Sequence, residues 1–402
     1  MPLSTRVSLT ALALALAAGN STLMAQGQAP KAQQTQKGAE KDKTAILKSA
    51  DNDMRAVLES LEKLGAKPLS TLTVEQARTQ PTPADAVKAV MNKSGKKQPA
   101  SNVRKENVTY NGATGPQPAR IYTPASNGKK GPQAQALPVI VYYHGGGWVI
   151  ADLDTYDASA QALAEKTNAI VVSIEYRHAP EHKFPAAHED SFQAYKWALA
   201  TAAKWGGDPQ RVAVAGESAG GNLAINMAIM ARDQNVQAPL HMLLVYPVAG
   251  TDTTTASYKE NANAAPLGRA DMEWFIEKVL ADPAQKSSPM LDLVGRADLS
   301  RLPSATIITA QIDPLRSEGR ALADKLRQAG SRVTYQNFDG VAHEFFGMAP
   351  VVADATRAQG LAARELRQAF QQGAATGGSD GTGGRASEPK SANPKTSPKQ
   401  RQ

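Results

Sequence analysis

The chain has 402 residues, 42% of them hydrophobic and 20% charged, with no cysteine. That composition is globular, and the lack of Cys excludes a disulfide framework, a thiol nucleophile and thiolate-ligated zinc or iron–sulfur sites. The net charge of +8 sits on the two ends, since residues 26–50 and 373–402 are Lys- and Arg-rich while residues 51–372 are close to neutral, so no nucleic-acid-binding face is expected on the fold.

In chain order, residues 1–25 read as an export signal. Arg6 supplies a positive start, Val7–Ala18 is an apolar run too short to span a bilayer, and Gly19-Asn20-Ser21 breaks it. Cleavage after Ala25 would leave a protein without stable membrane insertion, periplasmic or secreted. Residues 26–43 are polar and lack apolar periodicity, as a linker does. Residues 44–101 form a helical segment. Met54, Val57, Leu58, Leu61 and Leu64 recur at helical spacing before Gly65, Thr73 and Gln76 fit a capping box, and Thr82-Pro83-Ala84-Asp85 fits a helix start.

From residue 102 to 372 short β-rich runs alternate with helical stretches such as Ser191–Lys204 and Gly319–Ala329. The runs lie at Val108–Tyr110, Ala119–Tyr122, Pro138–Tyr143, Ala169–Tyr176, Val212–Ala215, Met242–Tyr246, Ala305–Thr309 and Val333–Phe338. Several of the later runs are almost continuously apolar, as buried parallel strands are. The alternation predicts an α/β sheet covered on both faces. Residues 373–402, rich in Gly, Ser, Pro and Lys, hold too little apolar surface to fold and are expected to form a disordered basic tail.

The chemistry lies in four short segments. Gly216-Glu217-Ser218-Ala219-Gly220 stands between the strand Val212–Ala215 and a helical run. G-x-S-x-G in that context is a nucleophile elbow, with Ser218 raised on a turn whose neighbours must be small. His144-Gly145-Gly146-Gly147-Trp148 follows another strand. Consecutive glycines there suit an oxyanion hole, whose N–H groups need close approach by substrate, completed by the N–H of Ala219.

A serine needs a base and the base an orienting carboxylate, in the order Ser, acid, His. Of the two His after Ser218, His241 opens an apolar strand and reads as structural, whereas His343 follows the last strand. For the acid, Asp313 sits at a strand end. Asp292 and Asp298 do not, and Asp339 stays as second choice for its closeness to His343. His178, His182 and His188 cluster in sequence, but Pro180 and Pro185 prevent a helix from aligning them, and no metal site is expected there.

Together these segments resemble the bacterial hormone-sensitive-lipase family of α/β-hydrolase carboxylesterases. The shared features are HGGGW at 144–148, Glu175-Tyr176-Arg177 leading into Ala179-Pro180-Glu181, and Phe184-Pro185-Ala186-Ala187. Asp208-Pro209, GESAGGNLA at 216–224, Asp313-Pro314-Leu315 and His343 complete them. The resemblance spans roughly residues 50–370. It implies an eight-stranded, mostly parallel sheet with helices on both faces, an N-terminal helical cap, and hydrolysis of short acyl esters without cofactor or metal. It also implies oxyanion N–H groups at Gly146, Gly147 and Ala219, with Gly145 as an alternative.

Three positions depart from the family pattern: Glu217 where many relatives have Asp, His178 in place of a common apolar residue, and Glu344 where many have Gly. The resulting expectation is a serine carboxylesterase with triad Ser218, Asp313 and His343. Trp148, Phe345 and Phe346 would line its pocket, and a small-molecule ester would be its partner. A lipase, amidase or polyester hydrolase of the same fold, or a non-catalytic relative, is the alternative, and pairing as a homodimer is left open.

Overall fold

The computed structural model describes residues 46–97, 100–125 and 136–377. The expected export signal, the linker and the tail from residue 378 on lie outside the described residues.

Every run expected as a strand is one. β1 (Arg104–Asn111), β2 (Pro116–Thr123), β3 (Leu137–Tyr143), β4 (Ile170–Ile174), β5 (Gly207–Glu217), β6 (His241–Val245), β7 (Ser304–Ile312) and β8 (Val333–Ala342) form one sheet in the order β1-β2-β4-β3-β5-β6-β7-β8. β1, β2 and β4 pair antiparallel, and from β4 to β8 every pairing is parallel.

The apolar continuity of the central strands follows from burial on both sides. Along β3, Val139, Val141 and Tyr143 join one core layer while Ile140 and Tyr142 join the other. The first layer is closed by the helices Ala186–Thr201, Ala219–Asp233 and Arg316–Gln328, through Phe192, Leu223, Met227 and Leu322. The second is closed by Asp157–Thr167 and Ala353–Gly377, through Leu163, Ala358 and Leu366. Each such aliphatic side chain contributes roughly 1.5–3 kcal/mol on leaving water.

The segment before the sheet also folds as its signals predict. The helix Asn52–Lys63 buries Met54, Val57, Leu58 and Leu61 and leaves Leu64, just past its end, exposed. Thr73 and Gln76 make a reciprocal capping box, as do Thr82 and Asp85, with Pro83 in the first turn. The helix Val74–Thr79 is fastened to the strand ends by Arg78, which donates to the carbonyls of Val149 and Ala179 and pairs with Glu181.

Several boundaries shift by a few residues, and two of the shifts have a clear physical cause. The helix expected from Ser191 starts at Ala186, because Pro185 serves as its N-cap and Ala186-Ala187 are strong helix formers. The last helix runs to Gly377 rather than stopping at 372. Ala374 and Ala375 favour its continuation, and Gly373 lies so close to Leu240 that a Cβ there would stand 2.5 Å from the Leu240 side chain. Among the described residues no helix is long and apolar enough to cross a membrane.

Candidate active site

Parallel strands carry their successors' functional loops to one edge of a sheet. Here β3, β5, β7 and β8 end at that edge and deliver His144–Gly147, Ser218, Asp313 and His343, respectively.

Ser218 occupies the turn between β5 and the helix Ala219–Asp233, with φ 56° and ψ −119°. A non-glycine residue held there is strained by roughly 1–3 kcal/mol, a cost that persists only where the surroundings dictate it. They do so here. A Cβ on Gly216 would lie 2.0 Å from the Gly220 carbonyl oxygen, and one on Gly220 would lie 2.0 Å from that of Tyr143. The turn is tied down by Ser218 N–H donating to Val245 and by Val248 N–H donating to the Ser218 carbonyl.

Asp313 is fully buried just past β7. Its Oδ1 accepts the Leu315 N–H at 2.8 Å, and its Oδ2 lies 2.7 Å from His343 Nδ1. Because a carboxylate only accepts, Nδ1 carries the proton and Nε2 is left as the basic nitrogen. Burial opposes a charge on His343, but the Asp313 carboxylate outweighs it, helped by Glu344 and Glu217, so His343 titrates above its ordinary value. Ser218 Oγ does not hydrogen-bond Nε2 in this state, as is frequent before substrate binds. The two residues are linked through Tyr246, whose ring centroid is 4.5 Å from that of His343 and whose hydroxyl donates to Glu217, the neighbour of Ser218.

The glycine loop has the backbone that its sequence demands. Gly146 and Gly147 both have positive φ, and a Cβ on Gly147 would lie 2.2 Å from the Phe275 ring. Among the described residues, the N–H groups of Gly146, Gly147 and Ala219 make no backbone hydrogen bond outside the helices and strands. They stand at the strand ends that hold Ser218.

The rival assignments fall away on position. His241 lies at the opposite end of the sheet between Ser304 and Thr306, and burial pushes it down to about 3. Asp339 accepts from Asn337, and Asp292 caps the short helix Leu293–Arg296. The three clustered His do not converge either: His188 meets Asn222 at 2.9 Å, while His178 turns toward Glu175.

The residues expected to line the pocket are all buried. Trp148 is buried, with its ring stacked near His188. Phe345 and Phe346 have no exposed surface, and Phe345 packs between Tyr246 and Phe338. Both belong to the core because the one-turn helix Phe345–Met348 folds back against the sheet. Phe275, on the helix Arg269–Val279, stands against Gly147. Nothing in its sequence context marks it.

The sequence also hid an acidic pair at the triad, Glu217 buried and Glu344 partly exposed. Tyr142 and Tyr246 donate to Glu217, and Tyr156 donates to Glu344 at 2.5 Å. Glu344 Oε1 is also 3.7 Å from His343 Nε2. Burial, with the charge of Glu344, pushes Glu217 up to about 7. Glu344 is likewise raised, by burial.

A strained serine between strand and helix, beside a buried Asp–His pair at the same sheet edge, defines a hydrolase of the α/β type. Concordantly, a family model described as alpha/beta hydrolase fold matches residues 140–347. The chain belongs to that family, in its hormone-sensitive-lipase branch. It is 40% identical over 277 residues to a carboxylesterase, NlhH, of Mycobacterium tuberculosis, covering 68% of this chain and 84% of that protein. It is 31% identical over 252 residues to an ethyl acetate hydrolase of Pseudomonas putida, covering 62% and 78%. Among solved structures, an esterase of Pyrobaculum calidifontis superposes with a TM-score of 0.67 at 36% identity, covering 77% of this chain and 96% of that one.

Proposed function

We propose that the protein is a serine carboxylesterase for short-chain acyl esters. The observation that carries this reading is Ser218, held at φ 56° on its elbow beside the Asp313–His343 pair. His343 Nε2 takes the Ser218 proton as Oγ attacks the ester carbonyl, while Asp313 holds Nδ1–H and stabilises the imidazolium. The carbonyl oxygen becomes an oxyanion received by the N–H groups of Gly146, Gly147 and Ala219. The alcohol leaves with the proton from His343, and water activated by the same nitrogen releases the acid and frees Ser218.

The crowding of Phe275 against Gly147 beside the nucleophile favours small acyl groups, and the ethyl acetate hydrolase among the relatives agrees. The helices of residues 44–101, fastened by Arg78 beside Val149, serve as the cap. Hydrolysis of p-nitrophenyl esters from acetyl to palmitoyl, beside Ser218→Ala, tests the reading. Activity that peaks at short chains and vanishes in the variant is expected, and a maximum on long chains would make the protein a lipase. Residues 1–25 act as an export signal for a periplasmic or secreted enzyme. The intact mass of protein recovered from the periplasm, shorter by those residues, checks this.

A further inference from the structure

The residue that opens the glycine loop has a second set of partners, unrelated to the ester chemistry. β3 and β4 run parallel in register, Tyr143 beside Ile174. The residues that follow them, His144 and Glu175, therefore emerge side by side. The turn after β4 brings His178 round to the same carboxylate. His144 Nε2 lies 3.2 Å from Glu175 Oε1, His178 Nε2 lies 3.1 Å from that same oxygen, and the three atoms fall within 4.8 Å of one another.

The hydrogen bonds fix what these atoms offer. His144 Nδ1 is 2.8 Å from the Gly145 carbonyl oxygen, which only accepts, so Nδ1 carries a proton. In the neutral ring Nε2 is then a lone pair, turned toward a carboxylate. His178 Nε2 is buried as an atom and makes no hydrogen bond, because its approach to Glu175 is misdirected. Two imidazole nitrogens and a carboxylate oxygen thus crowd one point that calls for positive charge. A proton on His144 answers for one contact, and burial opposes it, although the Glu175 charge holds it on. One cation answers for all three.

We infer that His144, Glu175 and His178 form a binding site for one divalent transition-metal ion, with zinc as the best-matched class. Bonds of about 2.0–2.2 Å set tetrahedral ligand atoms roughly 3.3 Å apart, close to the two spacings observed. Two imidazoles and one carboxylate suit zinc, whereas calcium and magnesium prefer all-oxygen shells. The Nδ1–H bond to a backbone carbonyl is the arrangement that orients a ligating histidine. Tyr176, stacked on His144 at 4.5 Å between centroids, fixes the ring plane. His144 is sealed, while the Glu175 and His178 side chains keep 17% and 18% exposure, enough for entry and for a water as fourth ligand. The ion would brace the end of β3 against the turn after β4, and it takes no part in the attack by Ser218.

The experiment uses the full chain stripped with a chelator and titrated with zinc chloride at pH 7.5 against a chromophoric chelator. One ion per chain is expected, with a rise in Tm. Cobalt(II) in its place should give the visible absorption of a tetrahedral nitrogen–oxygen site. Binding should fall away at pH 5.5, where protons compete for the imidazoles. His178→Gln should weaken the site at least tenfold, and His178→Leu, which removes the ligand nitrogen while filling similar volume, is the second variant should the first fold poorly. Absence of zinc binding by the parent chain overturns the inference. So does a stoichiometry and affinity unchanged in both variants, which would move the ion to another site such as His343.

Discussion

Two carboxylate–imidazole pairs lie at the same edge of the sheet, and they use opposite nitrogens. Asp313 takes Nδ1 of His343 and leaves Nε2 to act as a base. Glu175 takes Nε2 of His144, whose Nδ1 is already given to the Gly145 carbonyl, so neither nitrogen is left for proton transfer. The same two functional groups make a base in one place and a brace in the other. The loop that presents the imidazole, rather than the chemistry of the pair, decides which.

The largest expected effects fall on the first pair. Asp313→Asn leaves the shape of the site intact but favours the wrong tautomer, and kcat should drop on the order of 10⁴-fold. Glu175→Gln, the matching change in the second pair, should cost less than about tenfold. Steady-state kinetics on p-nitrophenyl acetate decide it, and equal losses would end the distinction drawn between the pairs.

Gly147→Ala tests the loop that the second pair supports. With φ at 59° and Phe275 in the path of the new methyl group, the loop must shift and misplace at least one N–H donor. Loss of a single oxyanion donor typically costs about 10²–10³ in kcat. A KM left nearly unchanged would mark the defect as one of the transition state.

Much of this was legible in the sequence, and the limits have physical causes. The central strands β3, β4, β5 and β6 announced themselves as apolar runs, because burial on both faces leaves no polar alternation to blur them, whereas the edge strand β1 showed only as a short β-rich run. Ser218, Asp313 and His343 could be picked out because each ends a strand, and strand ends in this topology converge. The Glu217–Glu344 pair was visible only as two departures from the family pattern. Their meeting depends on the turn after His343, where Glu344 adopts φ 70° and swings in toward Tyr156. The packing of Phe345 and Phe346 was hidden for a related reason: two aromatics after a catalytic His suit a pocket wall as well as a core, and only the fold of residues 345–348 shows how they pack. The sequence clusters His178, His182 and His188, whereas the neighbours of His178 are Glu175 and Tyr176 in its own turn and His144 at the end of another strand.

Stability measures the second pair more directly than activity does. Removing the charge of Glu175 leaves the buried His144 Nε2 facing a neutral amide. Hydrogen bonds to charged groups contribute about 1.5–3 kcal/mol. Glu175→Gln should lose roughly that much by denaturant midpoint at pH 7.5, with chelator present so that metal binding does not enter. A change under about 0.5 kcal/mol would mean that the pair braces nothing.

The smallest effect distinguishes the first pair most finely, because His343 is flanked by more than one carboxylate. It works as a base only when neutral, and any negative charge nearby favours its imidazolium form. The groups that face it are Asp313, Glu344, Glu217 and the hydroxyl-bearing ring of Tyr246, while Tyr156 donates to Glu344. Glu344→Gln removes one of those charges, so His343 should lose its proton at lower pH and the acid limb of kcat/KM should move down. Activity near pH 6 would then rise several-fold relative to the plateau. The shift is limited by Glu217, held at about 7 by burial and by the charge of Glu344. Once Glu344 is neutral, Glu217 ionises more readily and restores part of the lost charge, as coupled sites do. The double variant Glu217→Gln with Glu344→Gln should therefore move the limb further than Glu344→Gln alone. If the single variant leaves the profile in place while changing only its height, Glu344 positions the loop and its charge does not reach His343.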